Sequence, residues 1–115
     1  MPNISHKDFA CLLNMLDSIK KIQTYSSKFK SADDFFNDNI SFDATMMNFI
    51  VIGEMVDKFS DSFLDEISSN IDWYKVKGFR NIIAHNYFGI DAEEVWQIIH
   101  TSLPKLQSSI EILMK

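Results

Sequence analysis

Helix breakers are almost missing from this chain: its 115 residues hold three glycines and two prolines. A sheet-rich fold needs a tight turn every several residues, and those turns draw on glycine and proline. The scarcity therefore points to long helices with short connections. The apolar spacing agrees. Phe9, Leu12, Leu13, Leu16, Ile19, Ile22 and Phe29 recur mostly at three- and four-residue intervals, which predicts a helix from about Ser5 to Phe29. Ser5 reads as its N-cap, with Asp8 on the dipole-favoured side.

The rest follows the same period. Ser31 and Asp34 open a short helix or turn anchored by Phe35-Phe36, and Asn37-Asp38-Asn39 reads as a loop. A second long helix is expected over Phe42–Phe59, with Met46, Phe49, Ile50, Gly53 and Val56 on one side and Met47, Val51 and Met55 on another. A helix apolar on two sides is buried on two sides. Gly53 costs about 1 kcal/mol relative to alanine in mid-helix, so it marks a close helix approach; Glu54 is expected to face solvent rather than Arg80. Phe63, Leu64 and Ile67 make a short helical turn. Asp72 caps a third long helix from Trp73 to about His85, which frays near Asn86 and breaks at Gly89. Asp91 and Glu94 fit a capping box for the last helix, whose face is Val95, Ile99, Leu103, Leu106, Ile110 and Leu113. Pro104 should kink it, because the i−4 carbonyl loses its donor and meets the ring. The expected fold is all-α, an antiparallel bundle of about four main helices with a kinked last helix, in one domain over residues 1–115.

Composition narrows the class. Hydrophobic residues are 46% and charged residues 23%, which is globular rather than disordered usage. Ten phenylalanines and six methionines are much bulky core material for so short a chain, and part of it fits a surface buried between subunits. Cys11 stands alone between Ala10 and Leu12, so no internal disulfide forms and the residue reads as core. Met-Pro-Asn-Ile-Ser opens without the apolar stretch of a leader, and no apolar run approaches the ~20 residues of a membrane span. A soluble, cytoplasmic protein is the expectation. A net charge of −5 argues against broad nucleic-acid binding through many phosphate contacts, yet leaves room for a small basic site.

Such a site is visible between Trp73 and Asp91. Arg80 is the only arginine in the chain; His85 and Tyr87 follow it closely, Asn81 and Asn86 adjoin, and Lys75 and Lys77 lie just upstream as possible RNA contacts. An imidazole can take the proton of a ribose 2′-hydroxyl or give one to a leaving 5′-oxygen. A guanidinium can hold phosphoryl oxygens at two points as charge builds, and Asn81 can orient either group. No metal is expected, since His6, His85 and His100 lack ligand spacing. Residues five apart on a helix diverge by about 140°. Arg80 and His85 therefore converge only if the helix unwinds at His85 or if two subunits bring their copies together. An ordinary ion pair for Arg80 and a dipole-stabilised helix-end histidine is the bland reading of the same residues.

The longer pattern resembles a known family. Its pieces are Asp17 and Ile22-x-x-Tyr25, Asp43-Ala44, Ile52-Gly53-Glu54, Asp72-Trp73, Gly78-x-Arg80-Asn81, His85-x-Tyr87, Ile90-Asp91 and Val95-Trp96. In order and spacing they are similar to the HEPN superfamily, and more narrowly to HepT-like toxins encoded beside MNT-type nucleotidyltransferase antitoxins. The resemblance implies an all-helical homodimer and a metal-independent ribonuclease without a cofactor. It makes Arg80 and His85 catalytic, Asn81 the polar residue after the arginine, and Tyr87 the tyrosine that receives AMP from the partner enzyme and silences the toxin. Two departures stand out: Met46-Met47-Asn48-Phe49 lacks a basic residue often present there, and Met55 replaces a small residue. Both touch scaffold or interface. A non-catalytic helical module that binds a nucleotide or docks a nucleotidyltransferase is the alternative function.

Overall fold

The structure is a computed structural model that describes residues 4–115. Met1-Pro2-Asn3, the start of the stretch read above as no leader, lies outside the described residues. Four long helical stretches carry the fold: α1 (His6–Ser26), α3 (Asn39–Lys58), α5 (Trp73–His85), and the pair α6 (Ala92–Gln97) and α7 (Leu103–Leu113) joined by a π-helical turn. Two short helices, α2 (Ala32–Asn37) and α4 (Asp61–Ile67), fill the corners, and no strand occurs among the described residues. The all-α bundle is as expected.

Caps set most of the boundaries. Ser5, Ser31, Asp38, Ser60 and Asp72 each accept a bond from the backbone N–H three residues on, which satisfies a donor that the first turn would orphan. The loop expected over residues 37–39 shrinks to Asp38, because its carboxylate caps α3 at once. Asp91 caps α6 through the N–H of Glu93 rather than that of Glu94.

Pro104 distorts the helix over the turn that holds its i−4 carbonyl, as expected. The π-helical turn occupies Ile98–Ser102, and the N–H of Leu103 reaches back five residues to the carbonyl of Ile98. The wider turn gives the ring room, since a proline cannot donate to position 100 and its ring would strike that carbonyl.

α3 is the central element, with α1 and α5 both antiparallel to it. Along α1, Asp8 meets Ser60 and Asn14 meets Met55; along α5, Lys77 meets Asp57 and Tyr87 meets Asp43. The α1 core face is Cys11, Leu12, Met15, Ile19 and Ile22, all buried, whereas Phe9 and Leu13 are exposed. At about 100° per residue Leu13 lies a quarter-turn off Leu12, so the stripe centres on Met15 and Ile19 instead. Phe35, fully buried, gathers Phe29, Phe42 and Trp96 at one end of the bundle, and Phe59 packs on Phe63 and Trp73 at the other. On the last helix Val95, Ile99, Leu103, Ile110 and Leu113 are buried, as their spacing indicated, and Leu106 is half-buried.

Candidate active site

The site begins with a missing side chain. Gly53 is buried on α3 beneath Arg80, and a β-carbon placed there would strike Arg80 Cβ and lie 2.6 Å from its Cγ. Glycine lets α5 come close enough for the arginine stem to lie across α3, so the close approach read from the sequence is present.

The guanidinium is then held on three sides. Arg80 Nη1 donates to Glu54 Oε1 at 2.7 Å and to Asp57 Oδ2 at 2.9 Å, and Nε donates to Asn81 Oδ1 at 3.0 Å. Asp57 Oδ1 takes the Lys77 ammonium at 2.7 Å. A guanidinium has five N–H donors. Three are engaged here, and the two on Nη2 have no partner among the described residues. The Arg80 side chain is 12% exposed, against 50% for Glu54. The hydrogen bond to Asp57, opposed by partial burial and reinforced by Glu54, holds the guanidinium charge more firmly than usual. Asp57 is correspondingly more acidic than an ordinary aspartate, first through Lys77 and then through Arg80.

One expectation changes here, and one residue joins the site. Glu54 does not simply face solvent; it reaches Arg80. Asp57 went unread, although the signal was available. Glu54 and Asp57 stand three apart on α3, Lys77 and Arg80 three apart on α5, and antiparallel packing brings same-spaced opposite charges together. Of the upstream lysines, Lys77 is engaged by Asp57, and Lys75 lines a groove of about 330 Å³ with Phe49, Phe79, Ile98 and Leu106.

His85 ends α5 in helical geometry, exposed, with Asn86 as C-cap. The helix therefore does not unwind before His85, and the two side chains leave α5 in different directions. A 3₁₀ turn over Tyr87–Gly89 follows. It lays the Tyr87 ring edge-on against Phe42, 6.2 Å between centroids, and the phenol donates to Asp43 Oδ1. Tyr87 is half-buried rather than freely exposed. Burial first, and then the Asp43 carboxylate, raise its pKa well above the ordinary phenol range, so the hydroxyl stays protonated and donating. No group of three His, Cys, Asp or Glu residues suited to a metal ion occurs among the described residues. No helix among them is long and apolar enough to cross a membrane.

The family model described as "Ribonuclease HepT-like" matches residues 15–113, which includes every residue of this site. The chain belongs to the HepT-like ribonuclease family. It is 32% identical over 110 residues, 95% of its own length, to a Methanocaldococcus jannaschii protein named "Gamma-glutamylcyclotransferase and putative RNase". The chain spans only 49% of that relative. A second protein of the same organism, named "Putative RNase", is 28% identical, with 90% of this chain and 94% of the relative aligned. The "Probable ribonuclease HepT" of Thermococcus cleftensis is 26% identical across 96% of this chain and 97% of its own. No solved structure matches the HepT-like chain.

Proposed function

We propose that this HepT-like protein is a metal-independent ribonuclease in which His85 moves protons and Arg80 neutralises the phosphoryl group. The observation that carries the reading is Arg80, stretched over Gly53 and anchored by Glu54, Asp57 and Asn81 with its two Nη2 donors unengaged, five residues before an exposed His85. Oriented donors that need not reorganise are what charge stabilisation requires. In the reaction the ribose 2′-oxygen attacks phosphorus, the P–O5′ bond breaks, and the products are a 2′,3′-cyclic phosphate and a 5′-hydroxyl. RNA digestion with end-group analysis tests this: those ends should form in chelator, and His85→Ala should abolish them. Activity lost in chelator and restored by magnesium refutes the mechanism.

A homodimer is part of the proposal. The divergence of Arg80 and His85 on one helix supports a site shared between subunits, as does the exposed apolar surface of Ile40 and Met47 on α3. Light scattering that reports a monomer at micromolar concentration rejects it. Tyr87 is proposed as the acceptor of AMP from a neighbouring nucleotidyltransferase in a toxin–antitoxin pair. The Asp43 carboxylate to which its hydroxyl donates supports this, since it can take the phenol proton as the oxygen attacks phosphorus, and the phosphodiester charge so added would repel RNA. The same mass gain on Tyr87→Phe as on wild type would contradict the assignment.

A further inference from the structure

We infer that Asp57 is a positioning residue that fixes Arg80 so that its Nη2 edge alone meets the scissile phosphate. The inference rests on the ribonuclease reading and goes beyond it, because the site's chemistry needs a guanidinium but does not say which edge is used or what sets it. A carboxylate beside a phosphate-binding arginine has two opposite meanings. It can compete with the phosphate, in which case it inhibits, or it can hold the arginine in line.

The geometry favours the second. Asp57 is itself pinned: one oxygen takes Lys77 at 2.7 Å and the other takes Arg80 at 2.9 Å. Glu54 takes the remaining hydrogen of the same Nη1 at 2.7 Å, and Asn81 closes the Nε side. These contacts use up both edges that contain Nη1 and the Nε–H. What is left is Nη2, whose two hydrogens diverge in the guanidinium plane and can each take one acceptor oxygen. Gly53 below the stem lets the arginine lie close enough to α3 for these contacts to form. Two cations against two carboxylates leave the cluster neutral, so RNA does not meet a bare negative charge in front of the arginine. A group that pre-positions acts on the chemical step, and misplacing a catalytic group by an ångström costs about a hundredfold.

Because Arg80 is the sole arginine, its side chain gives one unambiguous set of nitrogen resonances. In the free wild-type protein the Nη1 and Nη2 groups should be inequivalent, with slow rotation, and Asp57→Asn should speed that rotation. Full averaging in the wild type overturns the held arginine without reference to RNA. Kinetics supply the second arm. Asp57→Asn should lower kcat about tenfold to a hundredfold with KM unchanged or reduced, since a negative charge is lost. Unchanged or increased kcat in Asp57→Asn overturns the positioning role alone. A wild type that cuts no RNA overturns the ribonuclease reading and the positioning role together. If Asp57→Asn does not fold, Glu54→Gln, half in solvent, carries the same test with the same expected direction.

Discussion

α3 is shared by two antiparallel seams that differ in kind. Its seam with α1 is apolar, with Leu12, Met15, Ile19 and Ile22 facing Met46, Ile52 and Val56, all at 2% exposure or less. One polar staple closes its end, where buried Asp8 accepts from Ser5 Oγ and from both the N–H and Oγ of Ser60. Its seam with α5 is mixed: Phe49 meets Phe79, 5.0 Å between centroids, and Phe42 meets Tyr87, but ion pairs at Glu54 and Asp57 and a hydrogen bond at Asp43 are set among them. The first seam holds the helices together by area removed from water. The second spends contact surface on holding side chains in set positions. Substitutions should therefore separate stability from chemistry according to which side of α3 they touch.

The largest expected effect lies in the apolar seam. Met15→Ala should destabilise by about 3 kcal/mol, the usual range for a buried methionine, while the RNA cleaved per folded molecule stays at the wild-type level; denaturant melts and an active-site-normalised assay measure both. Gly53→Ala should blur the comparison, because the added methyl meets the arginine stem near its backbone and α5 must move. About 2 kcal/mol of destabilisation is expected from such overpacking, with cleavage falling on the order of a hundredfold. Wild-type cleavage in Gly53→Ala would show that the close approach is packing alone.

Asp8→Asn should cost roughly 1.5 kcal/mol at neutral pH through its charge-assisted bonds. Burial alone would raise the Asp8 pKa, but the Ser60 and Ser5 hydrogen bonds outweigh it and leave the folded value below the ordinary 3.8. A lowered folded pKa means the contribution is complete above the unfolded pKa and disappears as pH falls through the folded one. Acid melts should thus steepen below about pH 4 in the wild type and flatten in Asp8→Asn. Tyr87→Phe is the smallest change, about 0.5 kcal/mol for one lost hydrogen bond at the rim. It should leave cleavage substantially intact. In an absorbance titration, Asp43→Asn should bring the Tyr87 phenol back toward the ordinary range.

The two seams also differ in how much of them the sequence disclosed. Spacing and caps were enough for the helices, because Ser5, Asp72 and the three- and four-residue apolar rhythm act locally. Gly53 was legible as a close approach for the same reason: its lack of a side chain is a local fact with one structural use. Asp57 was not, because its role depends on which residue of α5 arrives opposite it. The direction of Glu54 and the partner of Tyr87 escaped for that reason too. Pro104 announced a distortion at its i−4 carbonyl, and the form it takes there, a π turn, was not legible. Motif order carried the family, but no motif describes the contacts that hold Arg80 still.

The central claim is that Arg80 and His85 cut RNA together on a scaffold that does not depend on them. The most direct measurement is cleavage of a defined single-stranded RNA in chelator by wild type, Arg80→Lys and His85→Ala, each with its melting curve. The account predicts wild-type cleavage to a 2′,3′-cyclic phosphate end, and no cleavage by His85→Ala. Arg80→Lys should lose most activity, because an ammonium cannot present a fixed edge to phosphate while holding two carboxylates. Folded variants that cleave as fast as wild type would contradict it.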